Sequence, residues 1–315
     1  VRERLGLAAV LVLIGTGWGL TTPLAKIAVS EGYGPLGLIF WQLVISGGLL
    51  MAVSALRGKG LPLRRRHLAF FLLIALLGTV VPNSASYAAA RELPAGVLAI
   101  LISTVPMFAF PIALGLGVDR FRVLRLFGLV CGLVGVVVLI GPRTSLPEPG
   151  MAAFIPLALV APVFYAIEGN VVARWGTHGL DAVQVLAGAS LIGAVVALPL
   201  AHGSGQWIDP RPPWGAPDLA LAASALVHAV VYSAYVWLVG RAGSVFTAQV
   251  SYLVTGFGVI WSMLLLSERY TAFVWIALAL MLVGIFLVQP RPRIKLAPAA
   301  ALREDTADRQ RDGQI

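Results

Sequence analysis

The sequence predicts an all-α polytopic membrane protein: ten transmembrane helices forming two five-helix repeats of opposite orientation, with the N- and C-termini cytoplasmic. Three observations carry that prediction. Of 315 residues, 59% are hydrophobic and only 12% charged, whereas about a quarter of a soluble domain is charged; mean hydropathy is +0.90. The apolar residues fall into blocks long enough to span a bilayer. Lys and Arg gather on alternate junctions between those blocks.

Each span has its own boundary signals. Residues 5–28 follow the charged start Val1-Arg2-Glu3-Arg4 and lack a small-residue cleavage site, which predicts a retained first helix and not a removed signal peptide. Residues 35–56 run from Pro35 to the basic stretch Arg57 to His67, and 68–90 follow it up to Arg91. Residues 94–117 open at Pro94 and close at Asp119-Arg120, and the next span, 122–140, is almost purely aliphatic over 126–140, with Gly128, Gly132 and Gly135 set for close packing. The second set comprises 151–174, 180–201, 217–239, 242–266 and 271–289. In lipid only helices or a closed barrel satisfy every backbone group, and runs this long without period-2 alternation exclude the barrel.

With the N-terminus inside, the inner junctions carry Arg57, Lys59, Arg64, Arg65, Arg66, Arg120, Arg122, Arg125, Arg174 and Arg241. The outer ones carry only Lys26, Arg91, Arg143, Arg211 and Arg269. The net charge of +9 therefore reads as orientation and contact with lipid headgroups, not as a nucleic-acid partner. Cys131, the single cysteine, lies in an apolar run, so the chain alone offers no disulfide and no thiolate metal site. Residues 290–315 are rich in Pro, Ala and mixed charge and predict a disordered cytoplasmic tail.

The chain repeats itself. At an offset of 149, Asp119-Arg120 aligns with Glu268-Arg269 and Gly135 with Gly284, while at an offset of about 147 Trp18 to Lys26 parallels Tyr165 to Arg174. The two units are 1–141 and 150–289. Five helices is an odd number, so the second copy enters from the opposite side, the architecture on which many secondary transporters build two gates around one site.

The stretches GTGWGLTTPLAKIA, ELPAGVLAILISTVPMFAF with VDRF, and SERYTAFVWIALALMLVGIFLV resemble the EamA-type branch of the drug/metabolite transporter superfamily, over nearly the whole chain to residue 289. The resemblance implies a ten-helix secondary transporter in the cytoplasmic (inner) membrane, many relatives exporting amino acids or other small metabolites. It implies a gating role for Lys26, which matches a recurrent basic position. It also implies a helix-bending proline at Pro106, whose counterpart in the second half is Thr255.

Polar residues inside spans carry the functional expectation, because each costs free energy there. His228, Tyr232 and Tyr235 share one face of the eighth span at i, i+4 and i+7, with Ser224 one turn earlier. Trp18 lies between Gly15 and Gly19 in the first span, ahead of Thr22. Gln42 in the second, Asn83 and Tyr87 in the third, Tyr165 in the sixth, and Gln249 and Tyr252 in the ninth complete the candidates for a central substrate cavity. Taken singly, each is equally well explained as hydrogen-bonding glue between helices. Glu168 is the only acid well inside a span. Keeping it charged costs about 2.5–3.5 kcal/mol and protonating it at pH 7 about 3.7 kcal/mol, so modest surroundings decide its state, as a coupling carboxylate requires. The reading is a transporter of small molecules working by alternating access, not an enzyme, with no metal and no cofactor. An intramembrane enzyme or a channel-like pore is the alternative. The expected partners are a small-molecule substrate and membrane lipid; a homodimer is left open.

Overall fold

The computed structural model describes residues 2–140, 146–247 and 249–288. Among them no strand occurs, and eight helices are long and apolar enough to cross a membrane: α1 (Arg2–Ala28), α2 (Pro35–Leu56), α3 (Arg65–Glu92), α4 (Ala95–Gly115), α5 (Val123–Ile140), α6 (Ile155–Trp175), α7 (Ala182–Gly203) and α8 (Ala216–Ala242). Two further apolar helices, α9 (Val250–Leu266) and α10 (Ala272–Val288), have 17 residues each, the lower end of what spans a hydrocarbon core. The tail expected at 290–315 lies outside the described residues.

Three of the expected spans are not continuous regular helices. In α3 a π-helical turn, Leu76–Val80, precedes Pro82; a proline removes an N–H and crowds the carbonyl four residues back, and the wider turn accommodates this. α4 is two pieces, Ala95–Ile102 and Val105–Gly115, parted at Ser103 and Thr104 just ahead of Pro106. There the hydroxyls of Ser103 and Thr104 donate to the carbonyls of Ile100 and Leu101, each at 2.6 Å. The ninth span starts later than residue 242: Gly243 takes φ +81 and ends α8, a short turn Ser244–Thr247 follows, and α9 begins at Val250. At Thr255, the counterpart of Pro106, α9 runs unbroken, and the Thr255 hydroxyl donates to the Ser251 carbonyl at 2.9 Å.

Helix α1 packs on α8 and α9, α6 on α3 and α4, α2 on α7 and α8, α3 on α7, α4 on α9 and α5 on α10. Exchanging each helix with the one five places along maps this set of neighbours onto itself. Small residues set the close approaches. A Cβ at Gly19 would stand 2.8 Å from the Gly258 nitrogen, so α1 and α9 touch backbone to backbone. The Trp261 indole N–H ties the same pair by donating to the Thr16 carbonyl at 3.1 Å.

Candidate functional site

The polar residues inside the spans assemble into two groups. The first joins α1 to α8. Trp18 lies 6.3 Å from His228, 6.3 Å from Tyr232 and 5.2 Å from Tyr235, ring centre to ring centre, and His228 stacks on Tyr232 at 18°. The i, i+4, i+7 spacing puts the three α8 rings on one face. The helices come close enough for one indole to meet all three because Gly17 faces Val231, where a Cβ would be only 2.5 Å from Val231 Cγ2.

The second group joins α2, α3 and α6 by hydrogen bonds. The Tyr165 hydroxyl donates to Asn83 Oδ1 at 2.8 Å; Asn83 Nδ2 donates to Gln42 Oε1 at 3.1 Å, and the Tyr87 hydroxyl donates to the same oxygen at 2.9 Å. Asn83 and Tyr87, one turn apart, reach a single acceptor because they share a face of α3. Glu168 is on α6 one turn after Tyr165, and its carboxylate lies against Gly78 of α3.

The remaining candidates are placed elsewhere. Tyr252 is half-buried near the start of α9, its hydroxyl enclosed and, among the described residues, without a hydrogen-bond partner. Gln249 is exposed just before α9, and its side chain bonds to none of the other candidates among the described residues. Thr22 is half-buried on α1 and joins neither group. Pro106 sits at the break in α4.

Lys26 does not extend freely to the surface. Its Nζ donates to the carbonyls of Arg91 and Leu93, both at 3.0 Å, at the end of α3. Nearby, Glu268 accepts the N–H groups of Ala95 at 2.8 Å and Gly96 at 3.2 Å and the hydroxyl of Tyr270. Burial, and then the bond to Glu268, hold the Tyr270 hydroxyl protonated well above the usual tyrosine range. Arg91 donates to the carbonyls of Gly32 and Tyr33 at 3.1 and 2.7 Å. A cavity of about 660 Å³ opens here, lined by Lys26, Arg91 and Glu268 among others. A second, of about 470 Å³, is lined by Arg57, Ser233, Trp237 and Arg241. The substrate-cavity candidates line neither; in this structure eight of them are packed within the two groups.

The profile of the EamA-like transporter family matches residues 5–141 and again residues 153–289. The chain belongs to the EamA-like transporter family. It is thus a multi-pass membrane protein of a transporter family, within the drug/metabolite transporter superfamily. It is 26% identical to the Escherichia coli K12 protein called uncharacterized inner membrane transporter YedA, over 91% of this chain and 92% of that one. It is also 26% identical to the uncharacterized transporter YoaV of Bacillus subtilis strain 168, over 63% of this chain and 66% of that protein. A solved crystal structure, 20% identical, shares the fold with a TM-score of 0.62 over 89% of this chain and 98% of that one.

Four residues of this EamA-like chain gain a role that sequence reading missed. Glu268 was visible there only as a repeat marker, through its alignment with Asp119. Arg125 is 6% exposed and paired with Asp119, though its position after Arg120 and Arg122 reads as one more orientation charge. Asn170 is buried, donating to the carbonyls of Ala109 at 3.1 Å and Ala166 at 2.8 Å; as a polar residue two positions beyond Glu168, it was findable by the same rule. Gly78 carried no signal, because its importance lies in Glu168, 90 residues away in sequence, whose carboxylate packs on it.

Proposed function

We propose that this protein is an exporter of small metabolites, amino acids or drug-like compounds with an apolar or planar part, working by alternating access from the inner membrane. The observation that carries the reading is the ring cluster of Trp18 with His228, Tyr232 and Tyr235, set between the two repeats, beside the hydrogen-bonded Gln42–Asn83–Tyr87–Tyr165 network. Aromatic walls with a few convergent polar groups are what a small-molecule site requires. Three further facts support it. The family profile matches each half separately, the helix neighbours map onto themselves under exchange of the halves, and a relative bears the name inner membrane transporter. In this reading the halves are inverted copies, both termini are cytoplasmic, and Trp18, Tyr165, His228, Tyr232, Tyr235 and Tyr252 meet the substrate once the packed groups part. Glu168 carries the coupling charge.

The test is flux in proteoliposomes, with substrates first chosen by thermal shift in detergent, since a ligand of the folded state raises apparent stability. Saturable flux stimulated by substrate on the far side is expected. Flux that rises linearly without saturation would assign a pore instead.

A further inference from the structure

The two ends of the molecule are held differently, and the difference falls on residues that the internal repeat relates: Glu268 aligns with Asp119, and Lys26 and Arg174 close the two paralleled helix segments. At one end both members grip the corner between α3 and α4. Lys26 takes the carbonyls of Arg91 and Leu93, and Glu268 takes the N–H groups of Ala95 and Gly96. One cation and one carboxylate thus clamp four backbone groups and bind that corner to α1 and to the loop between α9 and α10.

The corresponding corner, residues 240–245 between α8 and α9, is not gripped in this way by Asp119 and Arg174 among the described residues. Arg174 is exposed and lies 6.0 Å over the ring of its neighbour Trp175. Asp119 accepts the N–H of Arg120 at 2.7 Å and is paired with Arg125. That arginine is buried, stacked 5.6 Å over Phe110. It has no charged counterpart in the other half, where Val274 occupies its place in the repeat. The gripped end therefore has no arginine at the Arg125 position to pair with its carboxylate, and the other end has one.

We propose that Asp119 and Arg174 are reciprocal gate residues. They clamp residues 240–245 in the opposite conformation as Glu268 and Lys26 clamp residues 91–96 in this one, and Arg125 holds Asp119 in reserve meanwhile. The proposal rests on the alternating-access reading above. Gln249, exposed four residues beyond the 240–245 corner, reports its state.

The experiment uses the full chain with Cys131→Ala and Gln249→Cys, measuring the rate of modification by a charged, membrane-impermeant maleimide. Arg125→Leu frees Asp119, and Lys26→Met opens the opposite clamp; each is expected to slow labelling about tenfold or more, as a population shift of that size requires. Adding Asp119→Asn to Arg125→Leu is expected to restore the rate, which a merely structural role for Arg125 would not. The proposal is overturned if Arg125→Leu leaves the rate unchanged, or if it slows labelling and Asp119→Asn does not restore it. If Lys26→Met alone slows labelling, alternation stands without this clamp. If no variant changes the rate and flux is unsaturable, both readings fall together.

Discussion

The Glu168 carboxylate rests on the backbone of Gly78: a Cβ built at that glycine would stand 2.7 Å from each carboxylate oxygen. The contact exists because α3 carries its π-helical turn, Leu76–Val80, at this level, and such turns recur at functional sites. Gly78→Ala is expected to push the carboxylate aside. The cost is small, about 0.5–1.5 kcal/mol for an off-rotamer side chain, because the displaced atoms end a flexible chain. Thermal stability should change little, while the pH profile of flux should shift as it does in Glu168→Gln. Flux measured against pH in proteoliposomes decides it, and profiles unchanged in both variants would exclude a coupling role for Glu168.

Tyr252 gives the opposite test, of a group left unsatisfied. A buried hydroxyl without a partner costs about 1–3 kcal/mol, and the Tyr252 hydroxyl is in that position among the described residues. Tyr252→Phe is therefore expected to raise Tm in the absence of substrate and to diminish the further rise that substrate produces. Differential scanning with and without substrate measures both. A higher Tm with an undiminished substrate response would remove Tyr252 from the site.

The spans were legible because lipid imposes one rule on every residue, and runs such as Val123 to Ile140 satisfy it without help from the rest of the chain. The side-chain partners were not. That His228, Tyr232 and Tyr235 share a face follows from helical period alone. That Trp18 is the ring they meet depends on Gly17 admitting Val231, a contact between residues more than 200 positions apart. Asn83 and Tyr165 looked like two separate polar signals, and only the packing of α3 on α6 makes them one bond. Helix irregularities were half legible: Pro106 announces the break in α4, whereas Gly243 in a run of small residues does not announce where α9 begins.

Helices α5 and α10 meet through glycine, and here a substitution cannot be absorbed by a side chain. A Cβ at Gly284 would lie 2.9 Å from the Gly128 carbonyl oxygen, and one at Gly128 would lie 2.8 Å from the Gly284 oxygen. Gly284→Ala must part the two backbones, and overpacking of this kind costs about 1–3 kcal/mol. The control is Gly48→Ala on α2, where nothing lies within 4 Å of the new atom and helix propensity improves by about 1 kcal/mol. Thermal unfolding in detergent should show Tm falling for Gly284→Ala and holding or rising for Gly48→Ala. Equal Tm values would mean that α5 and α10 are not held by this contact.

Asp181 predicts how stability depends on pH outside the membrane. It caps α7 by accepting the Gln184 N–H at 3.0 Å, and it binds Lys59 at 2.8 Å and Arg57 at 3.3 Å. Burial alone would raise its pKa, but the bonds from Lys59 and the Gln184 N–H, with the Arg57 charge, prevail and hold it below the ordinary carboxylate value. The folded state then binds fewer protons than the unfolded one, so stability rises with pH across that window. The contribution is complete above the unfolded value of about 3.9 and is lost as pH falls through the lower folded value. Asp181→Ala should cost about 0.5–2 kcal/mol through the cap, with the partly exposed ion pairs adding at most about 1. Its Tm deficit is therefore expected at pH 7 and should close below about pH 4. A deficit that persists unchanged to pH 3 would mean that the ionised carboxylate is not what holds the start of α7.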